Sequence, residues 1–386
     1  MPNKEAGVSA IVRNLLLHRQ INANIEYRIV LLNSHGDGSS YNKVIKDFKF
    51  AEVLEFDYSV YDNSYLVLKK LGRLVTSSDD IIVDNDGLAS KMVHYLGLKN
   101  ALVYILHGDF EYYYNVLKEV NRSIDLIITY SIKMNSKLRN LYVNNRIEKI
   151  YYPAGALVSP SSSQSKANKR IRLIFVGSLD ERKGAHKIGL IYDKIVERVP
   201  VNKFELSIVG GGDLFESILK RFCDVDNVSV LGWQDNTYVM SEFLKSDIVI
   251  FPSLSEGLPN VLVEALVCGC IPVAFEDVSG VEDLIENGLN GFLVRKNDYQ
   301  LMSQMIVELI NNPVLIDSVK SNDCDVLDNF NSQNQASAYE FHILGTNISD
   351  GERVKNKYIS GRVLDKIWIP NIIVRIIRAF NIDKRL

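Results

Sequence analysis

The chain contains few cysteines and no long uncharged apolar run. Four cysteines occur among its 386 residues, and only Cys268 and Cys270 lie close together. A Cys-x-Cys pair without further ligands does not make a metal site, so we expect four reduced, structural thiols. No uncharged apolar run reaches the roughly 20 residues that span a bilayer, and no signal peptide opens the sequence. These absences predict a cytoplasmic protein without membrane spans.

The sequence also lacks a strong excess of either charge. Its formal net charge is −3, which argues against a general nucleic-acid binder. Hydrophobic residues make up 47% of the chain and charged residues 24%, so the chain can bury sizeable cores and is not disordered. Its length is sufficient for two domains of ordinary size.

Short apolar runs alternate with helical stretches through both halves of the chain. This alternation predicts an α/β fold with mostly parallel sheets, in which ligands bind beyond the carboxyl ends of the strands. In the first half the predicted strands are Tyr27–Ser34, Asp80–Asp86, Ala101–Asp109 and Ile124–Ser131. In the second half they are the segments IRLIFVGS, FELSIVGG, VSVLGW, SDIVIFPS, CIPVAFE and GFLV.

A segment rich in serine and lysine, LVSPSSSQSKANKR, separates the two halves. Its composition predicts a linker over residues 157–169. We therefore expect one domain over residues 1–156 and a second over residues 170–330. Residues 331–348 are expected to form a helix, and residues 349–386 a tail.

The glycine-rich segment IVGGGDLFESIL follows a predicted strand and opens a helix. Such a turn suits close approach of a phosphate or nucleotide. As a dinucleotide-binding fingerprint it supplies Gly210 and Gly212, but Phe215 occupies the third glycine position. A dehydrogenase is therefore a weak interpretation. A tight turn without a ligand remains the alternative, above all for Gly211.

The segment FVGSLDERKGAHKI has the same strand, loop and helix pattern. Lys183 stands where the loop enters the helix, and a cation there would neutralise a diphosphate leaving group as its charge develops. Arg182 would add a fork-shaped donor. The alternative is an ordinary solvated turn.

The segment EGLPNVLVE places Glu256 and Glu264 at its two ends, next to a predicted helix N-terminus. Pro259 suits the first helical position, and Gly269 suits the end of the same helix. Acidic residues near a helix N-terminus are favoured by the helix dipole, by about 0.3–1 kcal/mol. That effect explains one glutamate, but not the placement of both together with Lys183 and the glycine turns.

These motifs together resemble those of a known enzyme family. The segment FPSLSEGLPNVLVEALVCGCIPVAF, followed by SGVEDLIENGLNGFLV, is similar to the donor-binding region of family 4 glycosyltransferases. The resemblance covers Gly7 to Tyr339 and is dense from Ile171 to Val294. It implies the GT-B fold, in which two Rossmann-like doubly wound domains face a cleft, and the Glu-x7-Glu motif of that family.

The resemblance also implies roles for individual residues. Glu264 would hold the ribose hydroxyls of a nucleotide, and Glu256 would lie beside the transferred sugar. Lys183 would bind phosphate, and His107 of the first domain would face the donor sugar across the cleft. The amides of Gly257, Leu258 and Asn260 would lie near the diphosphate or the sugar, the base near Gly210 and Leu214, and Gly7 in the glycine-containing loop of the first domain.

Two features depart from the family pattern. Many members carry arginine directly after the glycine of FVG, where this chain has Ser178, so Arg182 would substitute or Lys183 would act alone. Only six residues precede Gly7, which are too few for the first strand and its turn. We therefore expect either an upstream start or an incomplete first domain. In such folds the helix over residues 331–348 crosses back to the first domain.

The expected function is a retaining glycosyltransferase that uses a nucleotide sugar, with UDP-sugars preferred. The acceptor is expected to be a glycan or a lipid-linked saccharide of bacterial surface polysaccharide, such as lipopolysaccharide. We expect no metal and no cofactor, because helix amides and basic side chains supply the positive charge. The alternatives are a GT-B epimerase or phosphorylase, or a non-catalytic protein that binds nucleotide sugars.

The C-terminal tail has a basic and amphipathic character. Residues 349–386 contain nine Lys or Arg against four Asp or Glu. This pattern predicts a helix in an anionic membrane interface through residues 355–386, on the inner face of the cell membrane. The alternative is a helix that packs its apolar face on the first domain. Ile372, Ile373, Ile376, Ile377 and Phe380 share that face after Pro370, whereas Arg375 and Arg378 lie off it; Trp368 precedes the helix.

Overall fold

The computed structural model describes residues 1–3, 7–20, 22, 24–36, 48–153, 170–322, 325–348, 353, 355–359 and 362–380. They form two compact units. The first unit comprises Met1–Tyr130, Met134–Pro153 and Ser332–Leu386, and the second comprises Ser131–Lys133 and Ala154–Asn331. The predicted linker over residues 157–169 lies outside the described residues.

The first unit contains two parallel sheets. One has two strands, β1 and β2, and the other has four strands in the order β3-β4-β5-β6. In chain order the elements are α1 (Gly7–His18), β1 (Tyr27–His35), β2 (Ala51–Ser59), α2 (Ser64–Leu71), β3 (Ile82–Asp84), α3 (Leu88–Leu96), β4 (Leu102–Leu106), α4 (Glu111–Val120), β5 (Leu126–Thr129), α5 (Ile132–Leu141), β6 (Arg146–Lys149), α12 (Ser332–Leu344) and α13 (Asn371–Phe380).

Burial of both faces explains why some of these strands could be predicted from the sequence. Every residue of β4 and β5 is buried, so their sequences are continuous apolar runs. Strands β2 and β6 were not predicted. The segment AEVLEFDYS of β2 largely alternates polar and apolar residues and exposes Glu52, Glu55 and Asp57, and β6 is the four-residue edge strand RIEK.

The first residues of the chain run beside β1. The amide of Asn3 donates to the carbonyl of Leu32 at 3.0 Å, and the amide of Leu32 donates to the carbonyl of Met1 at 2.9 Å. A cavity of about 830 Å³ is lined by both β1 and β3. Residues 4–6 lie outside the described residues, and the missing first strand stays a prediction.

The second unit contains one sheet of six parallel strands, and all six predicted strands of this half are present. The elements are β7 (Ile171–Val176), α6 (Ile188–Val196), β8 (Phe204–Val209), α7 (Phe215–Phe222), β9 (Val228–Gly232), α8 (Asn236–Phe243), β10 (Ile248–Phe251), α9 (Asn260–Val267), β11 (Ile271–Phe275), β12 (Phe292–Val294), α10 (Tyr299–Asn311) and α11 (Pro313–Ser321).

The strand order of this sheet is β12-β11-β10-β7-β8-β9. The chain therefore winds outward in one direction from β7 and in the other direction from β10, as in a doubly wound fold. The reversal lies between β7 and β10, which are hydrogen-bonded neighbours. Ligands of such sheets bind at this switch point, beyond the carboxyl ends of the strands.

Helix α9 begins directly after the loop that follows β10. The prediction that Pro259 takes the first helical position is wrong by one residue, because Pro259 is the extended N-cap residue and Asn260 starts the helix. The predicted end is confirmed. Gly269 has a φ of 76°, and the amide of Cys270 donates to the carbonyl of Ala265 at 2.9 Å, which is the hydrogen bond of a Schellman cap.

Candidate active site

Two loops meet at the switch point of the second unit. The loop after β7 carries Arg182 and Lys183, and the loop after β10 carries Ser253 and Glu256. The amide of Leu254 donates to the carbonyl of Arg182 at 2.8 Å and so joins the two loops through the backbone. The fold therefore brings together basic and acidic side chains that stand about 70 positions apart in the sequence.

A buried ion pair forms the centre of this site. Lys183 Nζ donates to Glu256 Oε1 at 2.6 Å, and the two side chains are only 15% and 8% exposed. Ser253 Oγ donates to the same carboxylate oxygen. A buried charge is tolerated only when it is paired and hydrogen-bonded, so the pair holds the ammonium group at the end of the sheet.

Arg182 extends this cluster towards solvent. Its Nη1 donates to the carbonyl of Ser255 at 3.2 Å and lies 3.8 Å from Glu256 Oε2. Its Nη2 lies 3.9 Å from Asp180 Oδ2. The guanidinium is partly exposed, and its planar fork of N–H donors suits an anionic ligand. Ser178, which stands where many family members carry arginine, is also exposed.

Gly184 fixes the position of the lysine loop. Its φ is +72°, and a Cβ atom at this position would lie 2.2 Å from the carbonyl oxygen of Pro252. Only glycine allows this left-handed backbone and this close approach of the two loops at once. The position of Lys183 relative to Glu256 therefore depends on the residue that follows the lysine.

The glycine-rich turn lies beside the same loop. A Cβ atom at Gly210 would lie 1.9 Å from the carbonyl oxygen of Gly177, so tight packing of two strand ends already requires this glycine. The amide of Leu214 donates to the carbonyl of Leu179 at 2.9 Å. Both residues proposed to lie near the base are therefore in contact with the loop that carries Lys183.

Glu264 lies just over one turn inside α9, as predicted. Its Oε1 accepts a hydrogen bond from Asn236 Nδ2 at 3.0 Å. Burial raises the pKa of Glu264 to about 7, and the hydrogen bond from Asn236 lowers it only partly. Carboxyl groups with perturbed pKa values cluster at functional sites. Ionisation of Glu264 in the free protein thus costs free energy. A ligand that donates hydrogen bonds to the carboxylate would lower that cost.

The N-terminus of α9 supplies backbone donors between the two glutamates. The first N–H groups of a helix have no intrahelical acceptor and carry the positive end of the helix dipole. Asn260 is the first residue of the helix, and Gly257 and Leu258 lie in the buried loop before it. This arrangement suits a phosphate group.

Two predicted site residues belong to the first unit. His107 follows β4, donates from Nε2 to Asn85 Oδ1 at 2.8 Å and accepts at Nδ1 from the hydroxyl of Tyr130 at 3.1 Å. Burial lowers the pKa of His107 to about 3, so the imidazole is neutral. Gly7 is exposed and starts α1.

Sequence reasoning missed two partners of the glutamates. Ser253 lies three residues before Glu256 in the same loop, and that spacing could have drawn attention to it. Asn236 lies 28 residues before Glu264 and follows a different strand, so no local pattern signals their contact.

The described residues contain no group of three or more His, Cys, Asp or Glu side chains that could hold a metal ion. A search of the same residues finds no helix with the length and apolarity needed to cross a membrane. The expectation that no metal and no cofactor is needed stays a prediction.

Residues 160–324 match the model of the family described as glycosyl transferases group 1. A protein of Haemophilus influenzae named an uncharacterized glycosyltransferase is 27% identical over 295 residues, which cover 73% of this chain and 81% of that protein. The O-antigen biosynthesis glycosyltransferase WbnH of Escherichia coli is 34% identical over 133 residues, which cover 34% of this chain and only 36% of WbnH. The second half of the chain is thus similar in sequence to group 1 glycosyltransferases.

The fold has a close counterpart among solved structures. HepE of Anabaena, solved in complex with UDP and glucose, superposes with a TM-score of 0.67 at 19% identity, covering 89% of this chain and 97% of HepE. With the two parallel-sheet units described above, this likeness shows the GT-B fold class that the sequence predicted.

Proposed function

We propose that this protein is a retaining glycosyltransferase that moves a sugar from a UDP-sugar to a saccharide or lipid-linked saccharide of a bacterial surface polysaccharide. The observation that carries the proposal is the buried Lys183–Glu256 pair at the switch point, followed by the N-terminus of α9. It combines a cation and backbone amides for a diphosphate with carboxylates for sugar hydroxyls. Homology to glycosyltransferases such as WbnH supports the acceptor class.

The two carboxylates would bind different parts of the donor. A carboxylate accepts hydrogen bonds at two oxygens, which matches the vicinal diol of a ribose. Glu264 would take this role, because only one protein donor reaches its side chain among the described contacts. Glu256 would face the transferred sugar, since it stands beside the phosphate-binding lysine. The UDP and glucose in the HepE structure support a uridine nucleotide as the donor.

The reaction breaks the bond between the anomeric carbon and the diphosphate oxygen, and the electron pair leaves with the diphosphate. Lys183, Arg182 and the amides of α9 would stabilise this developing charge. The acceptor oxygen would form its bond to the anomeric carbon on the face that the diphosphate leaves, and its proton would pass to the departing diphosphate oxygen, so the anomeric configuration is retained. Both ring nitrogens of His107 are engaged by Asn85 and Tyr130. A hydrogen bond from His107 to the sugar would therefore have to replace one of these two.

Donor binding and donor hydrolysis test the proposal without knowledge of the acceptor. The full chain is screened by thermal shift against UDP-, GDP-, ADP- and dTDP-sugars, because a ligand of the folded state raises the unfolding temperature. Proton NMR then follows slow hydrolysis of the preferred donor. We expect the strongest shift with a UDP-sugar and release of the sugar with its anomeric configuration retained.

Two results would count against this function. If no nucleotide sugar raises the unfolding temperature, the switch-point cluster is not a donor site. If a nucleotide sugar binds but neither hydrolysis nor transfer to saccharide acceptors occurs, a binding protein is the better description. Interconversion of two nucleotide sugars would instead indicate an epimerase.

A further inference from the structure

Helix α13 turns its charged face towards the protein. Arg378 is 3% exposed, and its Nη2 donates to Asp365 Oδ2 at 2.7 Å. Arg375 forms an ion pair with Asp62, and Asn371 Nδ2 donates to Asp62 Oδ1 at 2.8 Å. Polar contacts with other parts of the first unit therefore hold much of this helix, together with the buried side chain of Val374.

The anchoring contacts are built to persist at neutral pH. Burial raises the pKa of Asp62, but hydrogen bonds from Arg375, Ser59 and Asn371 outweigh that effect and bring the pKa below its ordinary value. The side chain of Asp365 is completely buried against Arg378. The backbone is tied as well, because Asn63 Nδ2 donates to the carbonyl of Ile369 at 2.9 Å.

The apolar face of α13 consequently points away from the protein. Ile372 is 69% exposed and Ile376 is 54% exposed. Ile373, Ile377 and the preceding Trp368 are also exposed. A helix on the surface of a soluble domain normally does the reverse and buries its apolar stripe. The alternative expected from the sequence, that this face packs on the first unit, is therefore wrong for these isoleucines.

Within the described part of the tail itself, the exposed charges have one sign. Among the described residues from 353 to 380, the single acidic side chain is Asp365, and it is buried. The basic side chains of Lys355, Lys357 and Arg375 are exposed. Lys366 Nζ lies 5.5 Å from the ring centre of Trp368. An exposed apolar stripe beside exposed cations is complementary to a surface with an apolar interior and an anionic rim.

We propose that α13 and Trp368 insert into the interface of a lipid bilayer that carries anionic headgroups. Isoleucine and tryptophan side chains would enter the boundary of the acyl chains, and the flanking lysines would contact the headgroups. A second copy of the chain fits this face less well, since a self-complementary contact would bring the same basic residues together without acidic partners.

Flotation with vesicles tests this inference independently of any glycosyltransferase activity. The full chain is mixed with phosphatidylcholine vesicles that contain either no anionic lipid or 30% phosphatidylglycerol. We expect flotation with the anionic vesicles, and a decrease when salt rises from about 0.1 to 0.5 M, because the Debye length shortens. Flotation that is absent, or equal with both vesicle types, overturns the proposal.

Matched variants separate the helix from other exposed apolar residues. Ile372→Gln/Ile376→Gln should lower the partition coefficient onto the anionic vesicles by at least about tenfold for each isoleucine changed. The control is Leu141→Gln/Val314→Gln, which changes residues that are 61% and 77% exposed elsewhere and should float like the original chain. Unchanged melting temperatures confirm that both variants remain folded.

A separate variant tests how much the lysine charges contribute to vesicle binding. Lys355→Gln/Lys357→Gln should weaken binding to anionic vesicles by about fivefold for each lysine removed, without changing the melting temperature. If both the isoleucine and the lysine variants float like the original chain, the helix is not the membrane contact. If the isoleucine variant instead abolishes self-association in light scattering and leaves flotation unchanged, the face binds a second copy and the proposal is wrong.

Discussion

Glu256 and Glu264 stand at the two ends of one nine-residue motif, yet their surroundings differ sharply. Glu256 accepts hydrogen bonds from Lys183 and Ser253 at Oε1, and Arg182 lies 3.8 Å from its Oε2. Glu264 has one amide donor, from Asn236, and burial raises its pKa to about 7. Identical side chains eight positions apart thus have different surroundings, because Glu256 belongs to an ion pair whereas Glu264 accepts one hydrogen bond, from a neutral amide.

The largest expected effect follows from removal of the lysine partner. Lys183→Ala leaves a buried carboxylate with weaker compensation, and loss of one partner of a buried pair costs about 3–5 kcal/mol of unfolding free energy. Turnover should fall by roughly 10²-fold or more, since the charge of the leaving diphosphate loses its cation. Urea unfolding and donor turnover at saturating nucleotide sugar measure the two effects. The exposed Lys203→Ala serves as control.

A double variant distinguishes catalysis from stability. Lys183→Met/Glu256→Gln removes both charges, so most of the lost stability should return while turnover stays low. Near-normal turnover in either variant would exclude the phosphate role of the lysine.

The second expected effect concerns Glu264. Its substitution should raise the unfolding free energy, whereas Lys183→Ala should lower it. Glu264→Gln should weaken nucleotide binding at pH 8 by about 1.5–3 kcal/mol, because charge-assisted hydrogen bonds are lost. The same change should raise the unfolding free energy at pH 8 by up to about 3 kcal/mol, since ionising a carboxyl whose pKa has risen from 4.5 to about 7 costs that much. Calorimetry and denaturation measure these changes, with exposed Glu197→Gln as control.

The third effect is a pH dependence that only Glu264 should produce. The ionised form is the better acceptor, so nucleotide affinity should rise roughly tenfold from pH 6 to pH 8 as a group with a pKa near 7 ionises. The unfolding free energy should change in the opposite direction with pH. The raised pKa means that the folded state holds the proton more tightly, so stability falls as pH rises from about 4.5 to 7. Both trends should vanish in Glu264→Gln; an unchanged affinity profile in that variant would refute the assignment.

The smallest expected effect concerns Asn236, the side chain that donates to Glu264. Asn236→Ala removes the hydrogen bond that partly offsets burial, so the pKa of Glu264 should rise further. Nucleotide affinity at pH 7 should fall by about two- to fivefold and recover at pH 8.5, where the carboxyl ionises again. A loss that is the same at both pH values would mean that Asn236 binds the nucleotide directly.

Much of the second unit could be predicted from the sequence, because buried strands have a recognisably apolar composition. Strands that are covered on both faces, such as β10 and β11, must be apolar throughout. The glutamates, the lysine and the glycine turns were identified because their types and spacing are unusual together. In contrast, β2 alternates polar and apolar residues and was overlooked.

Other features depend on packing that the local sequence does not encode. The contact between Asn236 and Glu264 joins the start of α8 to the second turn of α9, and these helices follow different strands. The orientation of α13 could not be chosen from its pattern, because an amphipathic helix has the same sequence whichever face is turned inward. Asp62 and Asp365, which bind its arginines, decide that orientation.

The raised pKa of Glu264 has a consequence for the stoichiometry of binding. At pH 7 a carboxyl with a pKa of about 7 is about half protonated in the free protein. If a bound ribose stabilises the ionised form, each binding event at that pH releases up to about half a proton to the buffer. The heat measured for nucleotide binding would then differ between buffers with large and small ionisation enthalpies. The donor site would exchange a proton with its surroundings each time it fills and empties.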